Sequence, residues 1–251
     1  MGRAEEVIAV EAARAAAALQ GVRPRDVQHK GEVDLVTEVD LASERAIREV
    51  LQRHTPDIPI LGEEGGGAEG ASTRWVVDPL DGTTNFVHGL PHYGPSIALQ
   101  VDGEVVVGVV LDVGRGELFR ASRGHGAFLN DAPLRVSAVS DLRQALVATG
   151  FGYDRGERPG FYLERVERAF RACQGLRRAG AAALDLCWVA AGRLDAYWEF
   201  GLGAWDVAAG SLLVEEAGGV YRAIPGHEGA DRPCPLASSQ ALAGAWAELM
   251  G

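Results

Sequence analysis

The chain has 251 residues, of which 47% are hydrophobic and 24% are charged; 35 acidic residues against 24 lysines and arginines give a net charge of −11. This composition is typical of a soluble globular protein with a sizeable core, and the excess of acid argues against binding to a nucleic acid backbone. No apolar run reaches the length of a membrane span, the N-terminus lacks the positive segment of a signal peptide, and the three cysteines have no metal-ligand spacing. We therefore expect a cytoplasmic protein with reduced thiols and with neither a nucleic acid nor a membrane as partner.

Two helices are predicted near the start of the chain. The alanine-rich stretch 5–20 begins with acids and ends at Gly21, which predicts a helix. Residues 22–33 are polar and predict a loop. Apolar residues at helical spacing then follow Thr37, which suits an N-cap, with Asp40 as an acid in the first turn.

An antiparallel meander is predicted for the remainder of the first half. Asp102-Gly103 joins the apolar runs 93–101 and 104–113, and such a dipeptide between two apolar runs is a strong hairpin signal. The other segments predicted here are a short strand at 58–61, a flexible loop at 65–72, a strand at 117–121 and a turn-rich connection at 124–134.

Strands and helices alternate in the second half, a pattern that predicts helices packed on a sheet. Strands are expected at 145–149, 194–198 and 220–223, helices at 159–173, 181–191, 205–217 and 241–249, and irregular chain at 225–235. No repeat or linker divides the chain. We therefore expect one domain over residues 1–251, with an α+β half at about 1–140 and an α/β half at about 141–251.

The stretch 75–86 (WVVDPLDGTTNF) combines a buried strand with polar chemistry. The strand is predicted to break at Asp78-Pro79, and Gly82 with the hydroxyl and amide side chains after it suits the start of a helix. Paired carboxylates bind a hard divalent cation, and a helix N-terminus holds phosphate oxygens. The stretch therefore predicts a pocket shared by metal and phosphate, and taken alone it is equally compatible with an ordinary proline-containing turn.

Two further acidic stretches lie at 61–67 (LGEEGGG) and 203–210 (GAWDVAAG). Together with 75–86 they resemble the inositol monophosphatase family of Mg²⁺-dependent, lithium-sensitive phosphatases. The family motifs W-x-(V/I)-D-P-(L/I)-D-G-T-x-N-F and W-D-x-A-x-G are both complete here, and the resemblance extends to 34–40 and 215–219. It implies a layered αβαβα sandwich, two or three Mg²⁺ ions per site, inhibition by Li⁺ and a homodimer.

The resemblance also implies roles for individual residues. The implied metal ligands are Glu63, Asp78, Asp81, Asp206 and the backbone carbonyl of Leu80. The implied catalytic residues are Glu63, Thr83 and Asp40, with Thr83 and Asp40 orienting the attacking water. The implied substrate contacts are Asp81, Gly82, Thr83, Ala182, Glu199 and Asp206. Asp206 taken alone is also typical of an acid that stabilises the start of a helix.

Several neighbouring residues have more ordinary interpretations. Glu64 is expected to be solvated. Lys30 matches a basic residue of a mobile loop in the family, and it is equally typical of a solvated lysine. His88 and His92 are expected to be wall or surface residues, because the glycine and proline between them prevent a helix that would align a zinc-binding pair. Ala181 stands where the family usually has a hydroxyl.

The resemblance implies hydrolysis of a small polyol phosphate monoester by a metal-activated water. The residues 84–89 agree best with inositol 1-phosphate as the substrate. Related families use the same scaffold for fructose 1,6-bisphosphate, histidinol phosphate or 3′-phosphoadenosine 5′-phosphate. A regulatory role in protein binding is the competing interpretation, since a bacterial member of the family acts in ribosomal RNA transcription through protein partners and a fold does not guarantee catalysis.

Overall fold

The structure is a computed structural model that describes residues 2–21, 24, 26–31, 35–224 and 234–251. Most of the irregular chain predicted at 225–235, and parts of the loop predicted at 22–33, lie outside these residues, as does the first residue of the 34–40 stretch. Among the helices of the described ranges, none is long and apolar enough to cross a membrane.

The described part of the first half contains three α-helices and ten strands. They are α1 (Arg3–Ala17), β1 (Val27–His29), β2 (Leu35–Thr37), α2 (Glu38–His54), β3 (Ile60–Gly62), β4 (Gly66–Gly67), β5 (Thr73–Asp81), α3 (Thr83–His88), β6 (Gly94–Val101), β7 (Glu104–Asp112), β8 (Glu117–Ser122), β9 (Ala127–Leu129) and β10 (Ala132–Pro133). Strands β3 to β10 form one sheet in the order β10-β9-β8-β7-β6-β5-β3-β4, in which only β3 and β5 run parallel, and β1 pairs with β2.

The described second half contains a smaller sheet and four helices. Its elements are β11 (Leu146–Thr149), α4 (Pro159–Ala172), β12 (Gly175–Arg177), α5 (Ala182–Ala190), β13 (Ala196–Trp198), α6 (Ala204–Glu216), β14 (Gly219–Ile224), β15 (Cys234–Ser239) and α7 (Ala243–Met250). The strand order is β12-β11-β13-β15-β14, with β12, β11 and β13 parallel and β15 antiparallel to both of its neighbours.

The elements stack as five layers, and this confirms the predicted αβαβα sandwich. Alternation along β5 turns Trp75 and Val77 toward α1 and α2, whereas Val76 packs on the opposite face among residues of α5 and α6. Helices α5 and α6 therefore lie between the two sheets. Helices α4 and α7 cover the outer face of the smaller sheet, where the rings of Trp198 and Trp246 lie 5.5 Å apart.

Several local predictions are confirmed. The Thr37 side chain caps α2 by accepting hydrogen bonds from the N–H groups of Val39 and Asp40, at 3.1 and 3.4 Å. Asp102 and Gly103 adopt φ values of 50° and 85° between β6 and β7, which is the left-handed backbone that a tight two-residue hairpin turn requires.

Other predictions are wrong in detail. Strand β5 does not end at Asp78-Pro79 but continues to Asp81, because the pairing with β6 is interrupted between Asp78 and Asp81 and Pro79 is not required to donate there. The connection at 124–134 contains β9 and β10. Strand β15 was also missed: it begins within the stretch predicted to be irregular, yet it pairs with β13 and β14.

Candidate functional site

A cleft of about 780 Å³ opens between the first sheet and the N-terminal ends of α5 and α6. Nine of the residues for which the resemblance implied a role in the site line it: Glu63, Asp78, Leu80, Asp81, Gly82, Thr83, Ala182, Glu199 and Asp206. Asp40 is buried behind these residues, with 1% of it exposed. It is connected to the cleft by a hydrogen bond from Thr83. Segments separated by more than a hundred residues thus contribute to one surface.

Two helix N-termini hold acids of the cleft in place. The Ala183 N–H in the first turn of α5 donates to Asp81 Oδ2 at 2.7 Å. Asp206, the third residue of α6, accepts from the Gly203 N–H at 2.5 Å. Asp206 therefore stabilises the start of its helix and also faces the cleft, so the two interpretations of this residue are compatible.

The acids strongly influence one another. Burial raises the pKa of Asp78 well above its usual value, and the charges of Glu63, Asp81 and Asp206 raise it further. Burial and the charge of Asp206 likewise raise the pKa of Asp81, although the Ala183 N–H opposes the shift. Such shifts mean that these carboxylates gain from any positive charge that enters the cleft.

Lys30 is a cation in direct contact with this cluster, and its position corrects two expectations. Its Nζ donates to Glu63 Oε1 at 3.0 Å and to Glu64 Oε1 at 2.5 Å. Glu64 is not solvated, since only 9% of its side chain is exposed, and burial raises its pKa to about 7. Burial alone would lower the pKa of Lys30, but Glu63 and Glu64 outweigh it and the pKa is raised.

The turn after Glu63 is held from α2 by Glu44. The two carboxylate oxygens of Glu44 accept the N–H groups of Glu64 at 2.8 Å and Gly65 at 2.9 Å, and Arg48 Nε donates to the same carboxylate at 2.7 Å. A Cβ at Gly65 would lie 2.5 Å from Glu44 Oε1, so only glycine permits this approach.

Thr83 and Asp40 form a hydrogen-bonded pair beside the acids. Thr83 Oγ1 donates to Asp40 Oδ1 at 2.8 Å and lies 3.1 Å from the Leu80 carbonyl oxygen. Asp40 also accepts the N–H of Thr37 at 2.9 Å and the Thr37 hydroxyl. Burial raises the pKa of Asp40 in spite of these hydrogen bonds, which suits a carboxylate that receives a proton.

Glu199 forms the opposite wall of the cleft. Burial raises its pKa to about 7, although the Tyr197 hydroxyl, which donates at 2.6 Å, and the charge of Arg178 oppose the shift. A Cβ at Gly150 would lie 2.0 Å from this carboxyl group. Gly150 is therefore the residue that leaves room for Glu199.

His88 and His92 are not paired, as expected, but His92 is no surface residue. It is 4% exposed and lies between Asp185, with an Nε2 to Oδ1 distance of 3.3 Å, and the Trp188 ring, at a centroid distance of 4.7 Å. His88 is exposed at the end of α3.

The donor set in the cleft fits a hard divalent cation. Carboxylate oxygens from three separate segments face one space, and buried carboxylates of this kind require a cation or hydrogen bonds to be stable. Among the described residues, no three or more His, Cys, Asp or Glu side chains form a ready-made set that could hold a metal ion.

Sequence reasoning missed two cations that line the cleft, Arg155 and Arg178. Phe151 and Tyr153 also line it. No periodic pattern or motif identifies the two arginines, and the only available signal was the Arg177-Arg178 pair shortly before Gly180.

The layered fold and the acidic cleft are those of a sugar-phosphatase type of protein, and comparison with known proteins narrows the class. The sequence profile of the inositol monophosphatase family matches residues 3–250. The chain belongs to the inositol monophosphatase family.

The similar proteins are named either as a Nus factor or as an inositol monophosphatase. The chain is 48% identical over 233 residues to the Nus factor SuhB of Pseudomonas aeruginosa, covering 88% of this chain and 86% of the relative. It is also 48% identical over 201 residues to the inositol-1-monophosphatase of Rhizobium meliloti, covering 79% and 75%.

Solved structures agree with this placement. The extragenic suppressor protein suhB from Bartonella henselae superimposes with a TM-score of 0.90 at 38% identity, covering 99% of this chain and 98% of that one. The inositol monophosphatase from Anabaena (Nostoc) gives a TM-score of 0.87 at 39% identity, covering 98% and 95%.

Proposed function

We propose that the protein hydrolyses the phosphate monoester of a small polyol with Mg²⁺ as cofactor, and that inositol 1-phosphate is its preferred substrate. The observation that supports this most is that Glu63, Asp78, Asp81 and Asp206 line one cleft beside the start of α3. Membership of the family supports phosphatase chemistry, and the name of the Rhizobium meliloti relative favours the inositol substrate.

The acids provide the cation site. Glu63, Asp78, Asp81 and Asp206 would hold Mg²⁺ together with the Leu80 carbonyl oxygen. Bound there, Mg²⁺ supplies positive charge that neutralises phosphate oxygens and makes water more acidic. The stoichiometry of two or three ions and the inhibition by Li⁺ are part of the same proposal.

Thr83 and Asp40 direct the nucleophile. A water molecule beside Thr83 gives its proton to Thr83 Oγ1, while the Thr83 hydroxyl passes its own proton to Asp40 Oδ1, 2.8 Å away. Water attacks phosphorus directly and no phosphoenzyme forms. The N–H groups of Gly82 and Thr83 bind phosphate oxygens and stabilise the charge that builds up in the in-line transition state.

The opposite wall binds the polyol. The carboxyl group of Glu199 accepts substrate hydroxyl groups, and the small side chain of Ala182 leaves room for the ring. Tyr197 holds Glu199 in place at 2.6 Å, so that the carboxyl group is oriented before the substrate arrives.

Replacing Asp81 with Asn tests the enzymatic proposal. D81N should lose activity on inositol 1-phosphate by orders of magnitude while circular dichroism shows an unchanged fold, because the amide cannot supply the negative charge of the ligand. The substrate preference is tested by comparing the wild-type efficiency on inositol 1-phosphate with that on fructose 1,6-bisphosphate, histidinol phosphate and 3′-phosphoadenosine 5′-phosphate. Equal or greater efficiency on fructose 1,6-bisphosphate would overturn the preference for inositol 1-phosphate.

A regulatory role is the second candidate, because several relatives are named Nus factor SuhB. A purely binding function has no need of Asp78, Asp81 and Asp206 together. D81N therefore separates the two candidates, since a binding function should survive this substitution.

We also propose a cytoplasmic homodimer, by analogy with the family. Size-exclusion chromatography with light scattering measures the assembly directly, and a monomer at micromolar concentration would refute the dimer.

A further inference from the structure

Buried polar atoms without a hydrogen bond are concentrated at one place beside the cleft. Among the described residues, seven buried side-chain nitrogen or oxygen atoms lack a hydrogen-bond partner, and five of them belong to His92, Asp185 and Trp188. His92 Nε2 lies 3.3 Å from Asp185 Oδ1, which is an ion-pair distance without the alignment of a hydrogen bond. Each buried polar atom left without a partner costs free energy, so this cluster requires an explanation.

The stability of the fold does not account for the contact between His92 and Asp185. Burial raises the pKa of Asp185, while His92 and the charge of Arg178 oppose the shift. Replacing a buried ion pair with apolar side chains is often neutral or stabilising, because the desolvation of two charged groups offsets much of their attraction. Packing against the Trp188 ring, which lies 4.7 Å from the His92 ring between centroids, needs only an aromatic side chain. The polar pair therefore indicates a role other than stability.

The backbone of His92 supports the turn at Gly82, which is proposed to bind phosphate. A Cβ at Gly82 would lie 2.9 Å from the His92 carbonyl oxygen, so this carbonyl group packs directly against the turn. The same oxygen accepts a hydrogen bond from Asn85 Nδ2 at 2.8 Å, in the helix that follows the turn. The position of His92 therefore helps to set where the N–H groups of Gly82 and Thr83 lie.

Asp185 belongs to the helix on the other side of this contact. It is the fourth residue of α5, and the Ala183 N–H in the same turn donates to Asp81 Oδ2 at 2.7 Å. The charge of Asp185 also raises the pKa values of Asp81 and Glu199, which places it near both walls of the cleft. The contact with His92 thus joins the turn at Gly82 to the helix that orients Asp81.

We propose that His92 and Asp185 are positioning residues of the phosphatase reaction, and that their contact fixes the turn at Gly82 relative to the start of α5. The inference rests on the proposed function and adds two residues to the same site. Neither residue lines the cleft, so both act through the groups that they hold. They keep the N–H groups of Gly82 and Thr83 where negative charge develops on the phosphate in the transition state.

An apolar replacement of the pair separates positioning from stability. H92F, D185A and H92F/D185A are compared by thermal unfolding and by kcat and KM for inositol 1-phosphate with Mg²⁺. In the double variant the larger Phe ring offsets the smaller Ala side chain and the buried ion pair is removed, so its Tm should equal or exceed that of the wild type.

All three variants should nevertheless lose kcat about ten- to a hundredfold with little change in KM, because the displaced turn no longer matches the transition state. The double variant should lose no more than either single variant, since each single substitution already breaks the pair.

H92Q and H88F are the matched controls. The glutamine amide retains an N–H donor for Asp185, so H92Q should recover most of kcat. His88 is exposed at the end of α3 and does not line the cleft, and H88F should keep the wild-type kcat.

Three results would overturn the positioning role alone, given an active wild type. The first is a wild-type kcat in the stable double variant. The second is a loss of kcat that occurs without Asp185 but not in H92F, which would assign the effect to the charge of Asp185. The third is a loss of activity in proportion to the unfolded fraction, which would assign the pair to the fold. A wild type that hydrolyses no phosphate monoester would instead overturn the proposed function, and the positioning role with it.

Discussion

The turn that carries Glu63 depends on Glu44, and replacing Glu44 with Ala should destabilise both the fold and the cation site. The substitution removes the acceptor of the Glu64 and Gly65 N–H groups and leaves Arg48 without its carboxylate partner. Glu44 is 4% exposed, so water replaces these hydrogen bonds only if the turn opens.

The size of the effect follows from the three contacts. Each backbone hydrogen bond to a charged acceptor contributes about 1.5 kcal/mol or more, and the unpaired Arg48, with a quarter of its side chain exposed, adds less because water screens it. The free energy of unfolding should fall by about 3–5 kcal/mol. For a chain of this size, that corresponds to a decrease in Tm of roughly 10 °C.

Chemical denaturation measures the first consequence, and the Mg²⁺ dependence of phosphatase activity measures the second. Because the turn no longer fixes Glu63, the Mg²⁺ concentration for half-maximal activity should rise about tenfold. Glu49 lies exposed on the same helix, and E49A should change the free energy of unfolding by no more than about 0.5 kcal/mol. If E44A were as stable as E49A and had the same Mg²⁺ dependence, the assigned role of Glu44 would be refuted.

Three further outcomes are expected. In EDTA the free energy of unfolding should fall as the pH rises from about 4.5 to 7, because burial raises the pKa of Glu199 from 4.5 to about 7 and the folded protein therefore holds its proton more tightly than the unfolded chain. The free energy of unfolding from urea titrations should depend less steeply on pH for E199Q than for the wild type. A wild-type stability that increases across this pH range would contradict the assignment. Thr83→Ala should lower kcat about a hundredfold in steady-state assays with little change in Tm; a loss confined to KM would exclude Thr83 from the proton transfer. Gly150→Ala should raise KM for inositol 1-phosphate about tenfold, because the new Cβ would lie 2.0 Å from the Glu199 carboxyl group; unchanged kinetics would mean that Glu199 does not bind the polyol.

Local chemistry made much of the fold predictable. The cap of α2 by Thr37 and the hairpin turn at Asp102-Gly103 depend on neighbouring residues only, so their patterns are visible in the sequence. Strand β15 was missed because its pairing with β13 and β14 joins segments far apart in the chain, and Pro79 was misjudged because a local irregularity in the pairing with β6 tolerates it.

The amino-acid sequence by itself determined most helices and strands, through hydrophobic periodicity and turn signals. Its motifs, through their resemblance to those of the inositol monophosphatase family, indicated the αβαβα layers and the acids of the cleft. Only the tertiary structure decided that Glu44 holds the turn after Glu63 and that Arg178 lies near Glu199. These contacts join side chains from separate elements, and their geometry depends on how the layers pack. No local pattern encodes such distances, whereas a turn, a cap or a buried strand is specified by the few residues that form it.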